Sequence, residues 1–302
     1  MLVKAVSTLI TLIAIQVVHC QIIPQAPFIS QVYQFPKGYI IENLAVRSNG
    51  NILFSRFSKA EIHEWNPSRP SAPATLVNAF PSGSGCMGIS EVSPDKFAVI
   101  VQSRKAFSIV SSIWILDLSS GKPMVTMAAD GIVAILNGMA TVTADIVVAS
   151  DSLGGDMVSV NLKTGTTAMA YRQAGKGVNG VRIGNATMYT ANSISGVFGR
   201  IPLDMSTGVS TGPYQPMVTA RPGMDDFALS PFSDEAYLVN QDDGYILRVK
   251  IGNDITALEV VSGGKGNNLV SGPTSAQFGR TEKDARTLYV STNNGKIMAV
   301  KL

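Results

Sequence analysis

The sequence has few of the residues that most often carry catalysis or bind metals. Among 302 residues there are only 2 cysteines and 2 histidines, which argues against a Ser-His-Asp triad and against a zinc site rich in histidine. If a leader ending at Cys20 is removed, Cys86 has no disulfide partner, and we interpret it as a small buried apolar thiol. His63, in the strand-like run "AEIHEWNP", is interpreted as a strand-surface side chain.

Charge and helical periodicity are also scarce. Charged residues make up 15% of the chain and the formal net charge is +3, with no Lys/Arg cluster. In globular proteins charged residues usually make up about 25% of the chain. Nucleic acid is therefore a poor candidate partner, and we expect the partner to be a small molecule.

The first twenty residues are typical of a targeting segment. "MLVK" supplies a positive start, and the run from Ala5 to Val18 is almost entirely apolar. It is too short to span a bilayer, and Val18 and Cys20 suit the −3 and −1 positions before Gln21. We predict a signal peptide over residues 1–20, a secreted or secretory-lumen protein, no membrane attachment after cleavage, and a single domain over residues 21–302.

The rest of the chain is built from six similar units. Each has a β run, a polar break and a second β run, as in "ENLAVRSNGNILFSR" from Glu42 and "VNGVRIGNATMYTANS" from Val178. Third and fourth runs follow, such as "MVSVNL" and "TTAMAYR". Four short strands at a period of about 40 to 50 residues indicate a β-propeller. The last unit ends after its third strand, so "ISQVYQF", before Glu42, is expected to supply the fourth and close the ring. The predicted fold is an all-β, six-bladed propeller with four antiparallel strands per blade.

In such a ring, the first strand of each blade begins at the mouth of the central channel and the second strand ends there. Two sets of side chains should therefore meet at one axis. The unit starts are Glu42, Met87, Asn137, Asn179, Asp225 and Thr274. The second-strand ends are Arg56, Gln102, Asp151, Asn192, Gln241 and Thr292. Gly138 and Gly180 should let the backbone approach the axis closely.

Units that begin with Glu, Asn, Asn and Asp resemble the gluconolactonase and regucalcin group of six-bladed propellers. The resemblance implies Glu42, Asn137, Asn179 and Asp225 as ligands of a divalent cation, with Asp225 also acting as an acid or base. Oxygen ligands of this kind suit Ca²⁺ or Mg²⁺. The sequence departs from that group in "ENL" where the family has "EGP", and in Asp226 where the family has glycine. Arg56 could neutralise Glu42 in place of a metal.

Longer motifs, including "SSIWILDL", "VASDSLGG", "DDFAL" and "GPTSAQFGRT", resemble a fungal secreted subset of these propellers. Some members of that subset are hetero-Diels–Alderases of tropolone sesquiterpenoid biosynthesis, which join a tropolone quinone methide to a humulene-type olefin. The resemblance implies a secondary-metabolite pericyclase without a cofactor. The candidate catalytic side chains are Asp225, Asn179 and Glu42. The candidate substrate contacts are Arg56, Met87, Gln102, Phe107, Asn137, Asp151, Asn192, Gln241 and Thr274.

Two other functions remain open. A metal-dependent lactonase would need Ca²⁺ or Mg²⁺ in the channel, and a non-catalytic binding propeller would show an exposed apolar rim. Three local expectations accompany them. Phe107, in the loop "VQSRKAFSIVSS", should fold over the mouth. Strand alternation should aim only one of Asp225 and Asp226 at the channel, with the other bonded to a loop. Asn185, in "NAT", is a glycosylation acceptor at a turn away from the mouth.

Overall fold

The computed structural model describes residues 27–81, 85–105, 108–252, 259–263 and 269–302. Within these ranges the chain forms strands and turns, without a helix, in six antiparallel sheets. The predicted all-β, six-bladed fold is confirmed. The leader over residues 1–20 and Phe107 lie outside the described residues, so the predictions made for them stay predictions. No described segment forms a helix that is long and apolar enough to cross a membrane.

Each blade contains an inner, a second, a third and an outer strand. The inner strands are β2 (Ile41–Val46), β6 (Gly85–Ser93), β10 (Leu136–Thr143), β14 (Val178–Gly184), β19 (Met224–Leu229) and β23 (Pro273–Phe278). The second strands are β3 (Ile52–Arg56), β7 (Lys96–Lys105), β11 (Ile146–Asp151), β15 (Thr187–Asn192), β20 (Glu235–Asn240) and β24 (Thr287–Thr292). The third strands are β4 (Glu61–Trp65), β8 (Ser108–Asp117), β12 (Asp156–Asn161), β16 (Val197–Asp204), β21 (Tyr245–Lys250) and β25 (Lys296–Lys301). The outer strands are β5 (Thr75–Ala79), β9 (Met124–Ile132), β13 (Thr167–Tyr171), β17 (Val209–Ser210) with β18 (Gln215–Thr219), β22 (Glu259–Ser262) and β1 (Phe28–Gln34).

The ring is closed by the strand that the sequence suggested. β1 pairs antiparallel with β25, with Phe28 opposite Lys301, so the sixth blade has the order β1-β25-β24-β23. The inner strands then neighbour one another around the whole ring, and β23 contacts β2. Closure leaves no open edge between the first and last blades.

The core lies between blades rather than within one. Inner and second strands are buried on both faces because each blade is covered by its two neighbours, while the outer strands are largely exposed. Cys86 is fully buried beside Ile89 and Phe97. Burial raises the pKa of its thiol, and the interpretation as a small buried thiol is confirmed. His63 was predicted on the surface, but it is 7% exposed and its ring packs edge-on against Phe35.

A bulge interrupts every inner strand near its first residue. The pairing register shifts at Ile41/Asn43, Cys86/Ile89, Leu136/Met139, Val178/Val181, Met224/Phe227 and Pro273/Ser275. A bulge adds an unpaired residue and re-aims the side chains beside it. Simple alternation therefore fails at the position where each inner strand meets the channel.

Glycines follow three of these bulge residues and contact the next blade. A Cβ added to Gly138 would lie 2.4 Å from the carbonyl oxygen of Asn179, and one added to Gly88 would lie 2.6 Å from that of Asn137. A Cβ on Gly180 would lie 2.4 Å from Asp226 Oδ1. The expected close approach of the backbone is confirmed, and its partner is the neighbouring inner strand.

We expect Gly138→Ala to destabilise the fold by about 1 to 3 kcal/mol, because the new methyl group meets rigid backbone. Gly184→Ala, in the inner strand β14, is the matched control, since its Cβ would lie 3.3 Å from a movable Leu229 methyl group. Urea denaturation of both variants measures the difference. Equal stability of the two variants would show that the inner strands can move apart at little cost.

Candidate active site

A cavity of about 410 Å³ opens where the inner strands begin. It collects five of the predicted side chains, four from unit starts and one from beyond a second strand. These are Glu42, Asn137, Asn179, Asp225 and Gln241. The remaining lining residues were not predicted from the sequence: Ile40, Phe57, Ser193, Gly223, Asp242 and Asn293.

Two carboxyl groups dominate the electrostatics of the cavity. Glu42 is 8% exposed and Asp225 is 5% exposed. Burial raises the pKa of Glu42 to about 7, and the nearby Asp226 carboxylate acts in the same direction. Burial also raises the pKa of Asp225 well above its ordinary value, and Glu42 and Asp226 raise it further. Near neutral pH this pair can therefore both hold and release a proton.

Side-chain amides surround the two carboxyl groups. Gln241 Nε2 donates a hydrogen bond to Asp225 Oδ2 at 2.9 Å. Asn179 Nδ2 donates to Ser193 Oγ at 3.1 Å, and that hydroxyl donates to the Met224 carbonyl at 2.7 Å. Asn137 Oδ1 is buried and has no hydrogen-bond partner among the described residues. The cavity thus offers fixed donors and one free acceptor to a polar ligand.

Three of the predicted second-strand ends, Arg56, Asn192 and Thr292, lie one residue before a position that lines the cavity. Asp151 and Asn192 bind loop backbone instead, since Asp151 Oδ1 accepts from Gly154 N and Asn192 Nδ2 donates to Lys176 O. Thr292 Oγ1 accepts from Lys296 N. The residues that follow the second strands (Phe57, Ser193, Gln241 and Asn293) face the cavity. Gln241 was found because β20 ends one residue before it, at Asn240.

Arg56 does not neutralise Glu42. Its guanidinium donates to Glu61 Oε2 at 2.8 Å and stacks over the Tyr39 ring, with 3.7 Å from Cζ to the ring centroid. It is absent from the cavity lining. The expectation that Arg56 replaces a metal beside Glu42 is wrong, because the Arg56 guanidinium pairs with Glu61 on the adjacent strand β4.

Three other predicted contacts lie outside the cavity. Met87 is 3% exposed within an apolar cluster, and Thr274 is fully buried, with its hydroxyl donating to Ile41 O. Gln102 Nε2 donates to Leu136 O. Gln102 also lines a second hollow of about 390 Å³, together with Phe57, Ser58, Gly85, Arg104 and Ile109. Phe57 is common to both spaces, so the hollow adjoins the cavity.

Asp226 does not bond a loop. It is 1% exposed and accepts hydrogen bonds from Asn43 Nδ2 and Ser275 Oγ on other blades. Because of the bulge in β19, both carboxylates of the Asp225-Asp226 pair approach the channel axis, at different depths. The expectation that only one of the two lines the cavity is met by Asp225, but the expected bond of the other to a loop is wrong.

The four side chains that the resemblance implies as metal ligands share the cavity. No group of three His, Cys, Asp or Glu residues suited to a metal occurs in the described part of the chain. A cation would therefore need the amide oxygens as well as Glu42 and Asp225. The unpartnered Asn137 Oδ1 is available for that purpose, so the donor set fits Ca²⁺ or Mg²⁺.

Asn185 lies in the exposed turn between β14 and β15, with a φ of 50°. β14 starts at the cavity with Val178 and ends at Gly184, so this turn is on the opposite face. Its glycosylation stays a prediction that the exposure of the side chain allows.

The free energy of unfolding should decrease as the pH rises from 4.5 to about 7. Between these values the folded protein keeps a proton on Glu42 that the unfolded chain has lost, so deprotonation favours unfolding. Protonation of Glu42 contributes roughly 3 kcal/mol to the free energy of unfolding at low pH, at about 1.36 kcal/mol per pKa unit. Glu42→Gln should flatten this slope in urea denaturation, whereas Asp145→Asn, at an exposed ion pair, should not. An unchanged slope in Glu42→Gln would contradict the assignment.

Comparison with known proteins agrees with the fold and with part of the function. No protein-family model matches the sequence. Two curated relatives are provisionally named hetero-Diels–Alderases. The protein from Phoma sp. is 24% identical over 308 residues, covering 87% of this chain and 86% of the relative. The protein from Sarocladium schorii is 26% identical over 322 residues, covering 89% and 78%.

Solved structures support the architecture alone, because their sequence identities are low. A luciferin-regenerating enzyme matches with a TM-score of 0.68 and 14% identity, covering 92% of this chain and 96% of that one. The calcium-binding protein regucalcin from Agrobacterium tumefaciens matches with a TM-score of 0.63 and 16% identity, covering 90% and 97%. The chain thus has a six-bladed propeller fold similar to that of regucalcin, and over most of its length it is similar to proteins named hetero-Diels–Alderases.

Proposed function

We propose that this protein is a pericyclase that joins two small molecules by a hetero-Diels–Alder reaction. The observation that carries the proposal is the pair of adjoining spaces that share Phe57. One is rich in carboxyl and amide groups, and the other is lined by Phe57, Gly85 and Ile109 together with Ser58, Gln102 and Arg104. The apolar part of the second space suits an alkene, held beside an oxygen-rich diene in the first.

Such a reaction needs orientation more than acid–base chemistry. Two bonds form in one step and no atom leaves, so holding both reactants in one geometry can lower the barrier by about 7 to 11 kcal/mol. Asn137 and Asn179 would hydrogen-bond the diene oxygens, and Phe57 would separate the reactants from water. The similarity to the two named relatives supports this role, and the substrates that it implies are a tropolone quinone methide and a humulene-type terpene.

The carboxyl pair suits the step that generates the diene. A hydroxymethyl tropolone becomes a quinone methide when its side-chain hydroxyl leaves as water and its ring hydroxyl loses a proton. A protonated Glu42 or Asp225 can donate to the departing hydroxyl, and the other carboxylate can accept the ring proton. The raised pKa values of both groups support this assignment near neutral pH.

We expect Asp225→Asn to lower turnover by about 100-fold, the lower range for loss of a proton-transfer group. Asn179→Ala should lower it by about the same factor, because a hydrogen-bond donor to the diene oxygen is lost. The thermal unfolding curves of both variants should stay cooperative. The assay measures cycloadduct formed from a hydroxymethyl tropolone and a humulene-type olefin. Asp145→Asn is the control for removal of a surface carboxylate. If the quinone methide is supplied ready-made, the defect of Asp225→Asn should shrink while that of Asn179→Ala persists. Wild-type rates in both variants would remove this site assignment.

A metal-dependent lactonase is the second candidate, favoured by the unpartnered Asn137 Oδ1 beside Glu42 and Asp225. Glu42, Asn137, Asn179 and Asp225 would hold the cation. When bound, a divalent cation polarises a lactone carbonyl and lowers the pKa of water. Asp225 would then accept a proton from the attacking water, while Gln241 keeps its carboxyl oriented.

Chelation distinguishes the two candidates. The pericyclase proposal predicts full cycloaddition activity after treatment with EDTA and dialysis. The lactonase alternative predicts lactone hydrolysis that disappears with EDTA and returns with Ca²⁺ or Mg²⁺. Metal analysis of the purified protein provides an independent measurement. Cycloaddition that is lost on chelation would contradict the first candidate.

A further inference from the structure

Four side chains meet on the channel axis beneath the cavity, and we call them the axial hub: Asn43, Arg182, Asp226 and Ser275. The Asp226 carboxylate is at its centre. Its Oδ2 accepts hydrogen bonds from Asn43 Nδ2 at 3.0 Å, Ser275 Oγ at 2.8 Å and Arg182 Nη2 at 2.5 Å. The four residues come from β2, β14, β19 and β23, so the axial hub ties together four of the six blades.

The axial hub is buried and divides the channel. Asp226 is 1% exposed, and the Arg182 side chain is 14% exposed. Below it lies a separate space of about 180 Å³, lined in part by Arg182, Ser90 and Gln277. A fold is strongly destabilised when a buried carboxylate loses its partners. The contacts of Asp226 therefore hold the four blades in one relative arrangement.

Two members of the axial hub are directly linked to the cavity above it. Asn43 follows Glu42 in the chain, and Asp226 follows Asp225. Gly180, which follows Asn179, lies against Asp226, because its absent Cβ would be 2.4 Å from Asp226 Oδ1. Glu42, Asn179 and Asp225, on three blades, are thus each next in the chain to Asp226 or to a residue that contacts it.

We propose that Asp226 is a positioning residue: through the axial hub it sets where Glu42, Asn179 and Asp225 stand relative to one another. The inference rests on the proposed function in taking the cavity as the active site. The contacts themselves are independent of the reaction. Asp226 does not line the cavity, and its effect on a ligand passes through the neighbouring side chains.

The test uses the full-length protein without substrate. In Asp226→Asn the side chain keeps its size but loses its charge, and Arg182 loses its partner. We expect weakened nuclear Overhauser contacts from the Gln241 side-chain amide to Asp225 and from the Asn179 amide to Ser193. Asp226 contributes to neither of these hydrogen bonds, so a purely local role would leave both contacts intact.

Asp284→Asn is the matched control, since it removes another carboxylate, one that accepts from Thr281 and Tyr289 away from the axial hub. It should leave both contacts unchanged. If Asp226→Asn does not fold, Ser275→Ala removes a hydroxyl of the axial hub that contacts both Asp226 and Asn43, without changing the charge of the hub. It should weaken the same contacts. Unchanged contacts in a folded Asp226→Asn, or in Ser275→Ala when the first variant is unfolded, would overturn the proposal. Failed cycloaddition would not, because no substrate is used.

Discussion

Six strands must begin beside one axis, and the bulge at the start of each strand decides which side chains fit there. The bulge gives two successive residues access to the axis in place of one. In three blades the second of these residues is a glycine, because the next inner strand passes where a Cβ would be. In four blades the first residue faces the cavity, whereas Met87 and Thr274 are buried outside it. The second residue packs against a neighbouring blade, so one backbone feature produces both layers of the site.

Burial of several carboxyl groups in one channel is the main electrostatic cost of this arrangement. Arg182 compensates Asp226, whereas among the described residues no cation lines the cavity beside Glu42 and Asp225. Their charges repel each other and that of Asp226. The cavity therefore favours bound protons or a bound cation. Such groups would suit either a dehydrating pericyclase or a metal-dependent hydrolase, which is why fold and site composition alone admit both.

The sequence predicted the blade count, the closing strand and five cavity side chains, because these follow from a regular period and from where inner strands begin and second strands end. At three second-strand ends it was wrong by one residue, since Arg56, Asn192 and Thr292 bond elsewhere and the next residue lines the cavity. The bulge leaves no mark in a single sequence, so the depth of Asp226 was not predictable. Nor was the partner of Arg56, because both strands beside it carry a glutamate, Glu42 on β2 and Glu61 on β4.

The pairing of β1 with β25 has a consequence for the order in which the molecule is built. Of the described strands, β1 comes first along the chain and its partner β25 comes last. Such long-range pairing slows folding and leaves strand edges exposed meanwhile. Glu42 belongs to the first blade and Asp225 to the fifth, so the two acids face each other only after the sixth blade has filled the gap. The cavity is therefore assembled by closure of the ring, and no single blade contains it.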